Sequence, residues 1–338
     1  MRRVKQFWFF AVAAMLAAGC ATADRRLKRF TFTQPQMGLP FRIVLYASDT
    51  NVAEAAAKAA FARISELNSK LSDYDTDSEL VRLSQTAGKG ISVRVSDDLW
   101  KVLNRAQRLA TESDGSFDVT CGPVVSQWRR ARREKKLPDP EKLEEFRQAV
   151  GYTKLKLNSR EQTAELLAPY MRLDLGAIAK GFAVDEALKV LRSRGIERAL
   201  VSGGGDMVAD DAPPGERGWR VELPPLDASN APPTEFVWLR HRALATSGDL
   251  FQHVEIDGVR YSHIVDPRTG IGLKDHSLVV VIAKDGITAD SLSTAVSVLG
   301  PERGVALVEW HGACVRIVRK PAERIEVRES KCFTEFTR

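Results

Sequence analysis

The chain of 338 residues is predicted to be an α+β protein, with helices and strands mixed along it. Two observations predict this. Helical and strand-like stretches both occur, yet they do not alternate as regular βαβ units. Several short strand-like runs also follow one another between Glu235 and Ala283, with Asp257-Gly258 as a hairpin turn. Composition agrees, because 28% charged, 44% hydrophobic and 7% aromatic side chains describe an ordinary globular chain. These values exclude a collagen, a coiled coil, a disulfide-dense miniprotein and a disordered tail. A chain this long buries a core without metal or disulfide staples.

Residues 1–19 read as an export signal. Arg2, Arg3 and Lys5 form its basic end, and Phe7 to Ala18 form an apolar run of 12. That run is shorter than the ~20 residues a membrane-spanning helix needs. It closes on Leu16-Ala17-Ala18-Gly19-Cys20, which resembles a bacterial lipobox with Cys20 as the lipidated residue. Cleavage after Ala21-Thr22-Ala23 is the alternative. Both place the mature protein outside the cytoplasm, the first as a membrane-anchored lipoprotein facing the periplasm or cell exterior. Residues 20–35 are expected to be a linker from the anchor, and 36–338 the folded domain. Without the leader's three cations the formal charge falls from +6 to +3, so no nucleic-acid partner is inferred. One cluster stands out: Arg129, Arg130, Arg132, Arg133, Lys135 and Lys136. It reads as a solvated helix face or as a contact with an anionic membrane surface. Cys121, Cys314 and Cys332 lack metal-type spacing, and a Cys314–Cys332 bridge or buried free thiols are both open.

Along the chain, Phe41 to Ala47 reads as a strand and Val52 to Leu71 as an Ala-rich helix. Ser96 caps a helix whose Leu99, Val102, Leu103, Ala106 and Leu109 share one face. Pro140 to Val150 is a short helix closed by Gly151, and 154–157 and 163–167 form a strand pair. Ile178 to Arg194 is a helix ending at Gly195. Ala199 to Ser202 is a strand running into Gly203-Gly204-Gly205-Asp206, which reads as a tight turn with close backbone packing. Residues 224–233 form an irregular loop, Ala289 to Leu299 a helix, and the last 30 residues two or three short strands.

Several segments carry chemistry. In DLGAIAKG, residues 174–181, a carboxylate and small residues lead into a helix start bearing Lys180. Free N–H groups and the positive helix end there suit phosphate, although close helix packing with Lys180 in solvent explains the same residues. In ADSLSTA, residues 289–295, Asp290 and Thr294 are four apart and share a helix face. A carboxylate with a hydroxyl makes a partial Mg²⁺ shell, the alternative being an N-cap Asp and a helix-face Thr. YSHIVDPRTG, residues 261–270, holds His263 and Asp266 near Arg268 in a turn, and His263 either serves as acid or base or is structural. SDGSFDVTCGP, residues 113–123, offers Phe117 for ring stacking and Asp118 for a polar edge, or a turn with a core Phe. ATSGD, residues 245–249, is a strand end running into a polar turn.

Taken together and in order, these segments resemble the ApbE family of FAD:protein FMN transferases. The resemblance runs through QMGLPFRI (36–43), SDYDTDSELVRL (72–83), SDGSFDVTCGPVVSQW (113–128), DLGAIAKGFAVDEAL (174–188), ALVSGGGDM (199–207), ATSGD, SHIVDPRTG (262–270) and ADSLSTAVSVLG (289–300). It implies a T-fold-related architecture of mixed helices and mainly antiparallel sheets, with an FAD cleft between two interleaved parts. It also implies transfer of FMN from FAD to a threonine hydroxyl of an exported redox protein, with release of AMP. By the same resemblance, Met37 and Tyr74 border the flavin or adenine, and Ser116, Phe117 and Asp118 line the cleft. Asp174 and Lys180 contact FAD. Asp290, Thr294 and the Ala177 carbonyl hold Mg²⁺, and His263 and Ile264 lie against the cofactor. His263 is the expected activator of the acceptor hydroxyl. An FAD pyrophosphatase and a non-catalytic flavin-binding lipoprotein are the competing readings. The chain departs from the family pattern at MGLP for MGT, at Ser262 for one of two adjacent histidines, at the flank of DPRTG and at Cys121.

Overall fold

An eight-stranded antiparallel sheet organises the chain, and its strands follow one another in sequence order. They are β1 (Lys28–Gln36), β2 (Leu39–Ala47), β3 (Ala199–Gly203), β4 (Asp206–Ala209), β5 (Arg242–Gly248), β6 (Ser277–Ala283), β7 (Cys314–Arg319) and β8 (Glu326–Glu329). The computed structural model describes residues 27–226, 235–250, 252–321 and 324–338. The expected export signal, Cys20, the start of the linker and most of the 224–233 loop lie outside the described residues.

Between β2 and β3 come six helices: α1 (Thr50–Leu71), α2 (Glu79–Ser84), α3 (Asp97–Glu112), α4 (Gly122–Glu134), α5 (Pro140–Arg147) and α6 (Ala179–Ser193). A small sheet of Val93–Arg94, Thr163–Leu166 and Leu155–Asn158 lies among them. Between β6 and β7 come α7 (Gly286–Leu299) and α8 (Pro301–Trp310). The connection from β4 to β5 carries a strand pair, Trp219–Glu222 with Phe236–Leu239. The β5–β6 connection carries the hairpins His253–Ile256/Val259–Ser262 and Val265–Asp266/Ile271–Gly272.

Both sheet faces are covered, which is why β6 reads as an unbroken apolar run and buries all seven residues. One face sends Phe41, Ile43, Leu45, Val279 and Val281 into a core shared with α1, α3, α6 and α7. The other sends Val44, Leu244, Val280 and Ile282 against Trp219, Val237, Leu239 and Phe333. A third core, Val124, Trp128, Leu143, Val254, Tyr261 and Val265, joins α4 and α5 to the hairpins. The Cys314–Cys332 bridge forms and ties the C-terminal turn to β7, while Cys121 stays free.

Local signals set the helix starts. Asp49 accepts from the Val52 N–H at 3.1 Å at the head of α1, and Ser96 from the Leu99 N–H at 3.3 Å at the head of α3. Three boundaries differ from expectation by three residues or more. Residues 28–35 of the expected linker form most of β1, because Phe30 and Phe32 alternate onto the main core while the backbone pairs with β2 from Lys28–Ala47 to Gln36–Leu39. Helix α7 starts three residues early, because Asp285 accepts from the Thr288 N–H at 3.1 Å. Asp290 is therefore not its N-cap. Helix α5 ends at Arg147, short of Val150.

Candidate functional site

A cleft of about 1160 Å³ opens beside the ends of β3, β4 and β5. It is somewhat larger than an ordinary small-molecule pocket and suits a dinucleotide. Every residue singled out by sequence for ligand or metal lines it: Met37, Tyr74, Ser116, Phe117, Asp118, Asp174, Ala177, Lys180, His263, Ile264, Asp290 and Thr294. Six separate chain segments deliver them.

One part of the cleft is a buried charged cluster. Lys180, in the first turn of α6, reaches the Gly176 carbonyl at 2.8 Å, both Asp290 carboxylate oxygens at 3.2 Å and Asp206 Oδ2 at 3.0 Å. Lys180 is therefore not in free solvent. Asp290 also accepts from the Gly181 N–H at 2.9 Å. Burial alone would push Lys180 down, but Asp206 and Asp290 more than offset it and hold the ammonium charged. Burial and the neighbouring Asp290 push the Asp206 carboxyl well up, with Lys180 opposing. The Thr294 hydroxyl faces that of Ser247 at 3.5 Å.

Tight backbone contacts hold this cluster. A Cβ on Gly181 would run into the Gly286 carbonyl and come within 2.7 Å of Asp290 Cβ, so α6 and α7 cross at a distance only glycine allows. Asp185 of α6 accepts from the Gly286 and Ile287 N–H groups at 2.7 and 2.9 Å, pinning the start of α7. Burial pushes its carboxyl up to about 7. The glycine run does make the expected tight turn, with Gly204 at φ +62 and Gly205 at φ +97. It joins β3 to β4 and places Asp206 opposite Gly203.

His263 lines the same cleft, near enough for the Lys180 charge to act on it. Its Nδ1 lies 3.0 Å from the Gln252 carbonyl oxygen, which also accepts the His263 N–H at 3.0 Å. A carbonyl only accepts, so Nδ1 carries the proton and Nε2 keeps its lone pair. Burial pushes the imidazole down to about 4, so it is neutral at neutral pH. Asp266 is not its partner, because both of its oxygens bind Arg268 at 2.8–2.9 Å. Ser262 accepts from the Ile264 N–H at 3.1 Å. In the ATSGD segment, Asp249 accepts from His276 Nδ1 at 2.7 Å and pairs with Arg260, which anchors the hairpin rather than a ligand.

The cleft wall also holds Ser116, whose buried hydroxyl has no hydrogen-bond partner among the described residues. Phe117 is buried, and Asp118 accepts from the N–H and hydroxyl of Thr120 at 2.8 and 2.7 Å. Cys121 lies alongside, its thiol pushed well up by burial and by Asp174 and Asp118.

Sequence reasoning missed Asp206 as the second carboxylate on Lys180. It also treated the 129–136 run as one unit. Arg130, Arg133, Lys135 and Lys136 are exposed, but Arg129 and Arg132 turn into the cleft. The signal was present: Val125, Arg129 and Arg132 follow the 4,3 spacing of a helix stripe and line the cleft together.

The comparisons with known proteins agree with this geometry. The ApbE family profile matches residues 37–317. A protein of Vibrio cholerae named FAD:protein FMN transferase is 31% identical over 336 residues, covering 97% of this chain and 98% of the relative. One of Haemophilus influenzae with the same name is 29% identical over 335 residues, covering 96% of each. The solved flavin transferase ApbE from Vibrio cholerae superposes with a TM-score of 0.83 at 30% identity, over 92% of this chain and 99% of that one. The ApbE protein of Thermotoga maritima gives a TM-score of 0.82 at 28% identity, over 92% and 100%. Sequence along nearly the whole length and fold thus lead to one conclusion: this chain belongs to the ApbE family.

Proposed function

We propose that this chain is an FAD:protein FMN transferase that moves FMN from FAD to a threonine hydroxyl of an exported target protein and releases AMP. The observation that carries the reading is the gathering of six distant segments around one dinucleotide-sized cleft, lined by a buried charged cluster and a neutral histidine. Ser116, buried in the wall with no partner among the described residues, is a donor left for a ligand.

The charged part suits a divalent cation. Two buried carboxyl groups, Asp206 and Asp290, crowd around the single Lys180 ammonium. The oxygens of Asp290, Thr294 and the Ala177 carbonyl are the hard donors that Mg²⁺ prefers, with phosphate and water completing the shell. Bound there, Mg²⁺ would neutralise charge on the diphosphate. Lys180 supplies a second positive charge, held in place by Asp206. His263, its Nδ1 locked on the Gln252 carbonyl, offers Nε2 to take the proton of the acceptor hydroxyl. That oxygen then bonds to the FMN phosphorus while the bond to AMP breaks. Such transfer depends on positioning and charge neutralisation, which is what the two parts of this cleft provide.

The leader supports export with lipid attachment at Cys20, so the enzyme would work at a membrane surface outside the cytoplasm. The Cys314–Cys332 bridge suits an oxidising compartment. The test incubates protein from residue 21 onward with FAD and an acceptor domain carrying an Asp-Gly-x-Thr-type segment, with and without Mg²⁺. An FMN adduct by intact mass, formed only with Mg²⁺, is expected. Free FMN and AMP without adduct would point to a pyrophosphatase, and FAD bound but unchanged to a flavin-binding protein.

A further inference from the structure

Tyr74 stands at the cleft mouth with 75% of its surface exposed. One face of its ring is nevertheless taken. The Arg129 guanidinium carbon lies 4.5 Å from the ring centroid. Arg129 is itself fixed: one arm donates to Asp73, the neighbour of Tyr74, and the other to Asp174 Oδ2 at 2.7 Å. The second Asp174 oxygen accepts from the Gly176 N–H at 2.8 Å. One planar cation thus ties together the loop after α1, helix α4 and the loop that leads to Lys180. Asp174 is held by the protein on both oxygens.

We propose that Arg129 is a positioning residue that presents Tyr74 as a preformed stacking face for an aromatic ring of the bound dinucleotide. The proposal rests on the FAD reading above. With Arg129 on one side of the phenol, a ligand ring stacks on the other. The order is then guanidinium, phenol and ligand ring. The rigid fork of an arginine is needed, because it binds two carboxylates edge-on while its flat face lies on the ring. A lysine has neither the fork nor the flat face. Without the cation, Asp73 and Asp174 would face each other unbalanced and the loop bearing Tyr74 would lose its anchor. Burial and Asp174 already push Asp73 up, with Arg129 the opposing influence.

The test measures FAD affinity by flavin fluorescence in EDTA, where no turnover intervenes. Arg129→Gln is expected to weaken FAD binding about tenfold. Arg129→Lys should remain weaker than the native chain by about threefold or more. Tyr74→Ala should also weaken binding, and adding Arg129→Gln to it should change nothing further. A general structural defect would not give that pattern. Native affinity in Arg129→Gln overturns the proposal. So does an undiminished loss in the Tyr74→Ala background, which would put Arg129 on the ligand directly. If Arg129→Gln does not fold, Arg129→Lys decides alone, and native affinity there overturns the proposal. A native chain that binds no FAD overturns the functional reading, and this inference with it.

Discussion

Two parts of the cleft, the Lys180 cluster and His263, are held by opposite means. The Lys180 part is built on two helices that cross at Gly181 and Gly286, and its three charged side chains bind one another. The His263 part is built on the connection between two short hairpins, and its ring is fixed by a single carbonyl. The first is buried and charged, the second neutral. The difference fits the role proposed for each. A diphosphate needs fixed charge that is in place before it arrives, since reorganising dipoles during the reaction costs rate. In that proposal an incoming hydroxyl needs a lone pair that is not already protonated.

The largest expected effect falls on the charged part. Asp290→Ala removes one of the two carboxylates on Lys180 and the proposed metal ligand. Turnover of FAD with saturating Mg²⁺ should fall about a thousandfold, since a bound metal contributes several kcal/mol to such a transition state. An unchanged rate would sink the metal assignment. Gly181→Ala attacks the same part through packing. Its Cβ would meet the Gly286 carbonyl, so α6 and α7 must part. Overpacking of this kind costs about 1–3 kcal/mol. Urea unfolding should show that loss, and Lys180, one residue away, should bind FAD less well.

The histidine part should respond differently. His263→Gln keeps size and polarity but removes the basic lone pair. Acceptor modification should slow about a hundredfold, the range for loss of a general base. FAD affinity should change by no more than about twofold. Equal losses in both would give His263 a binding role and erase the distinction between the two parts.

Much of this was legible in the sequence, and what was not has physical causes. The helix faces of α1 and α3, the Asp257-Gly258 hairpin and the glycine turn are local, set by spacing, caps and turn residues a few positions apart. Asp290 and Thr294 were readable because a helix puts residues four apart on one face. Asp206 was not, because it meets Lys180 across 26 residues of sequence and Asp290 across 84. No local pattern records that meeting. Arg129 was hidden inside a run of cations that resembles a solvated face, and only its partners Asp73 and Asp174, on other segments, draw it inward. Strand β1 was obscured by its place beside the presumed anchor, although Phe30 and Phe32 alternate as a strand should. His263 shows a subtler limit. The sequence supplied the residue, but its tautomer depends on Gln252, 11 positions away, whose carbonyl reaches Nδ1.

The smallest expected effect is a lack of change, and it tests the neutral part most directly. An unperturbed histidine titrates near 6.5. Burial takes His263 down to about 4. The sign follows from that direction: protonation is disfavoured in the folded protein, so the neutral ring's contribution to stability is fully present above 6.5 and is lost as pH falls through about 4. The rate of acceptor modification, followed as kcat/KM at constant ionic strength, should therefore vary by less than about twofold from pH 8 down to about 5 and fall only toward 4. An ordinary imidazole would already have lost half its activity near 6.5. A limb at that pH, present in the native protein and missing from the residual activity of His263→Gln, would mean that the ring is open to solvent and that the two parts of the cleft are less different than their surroundings imply.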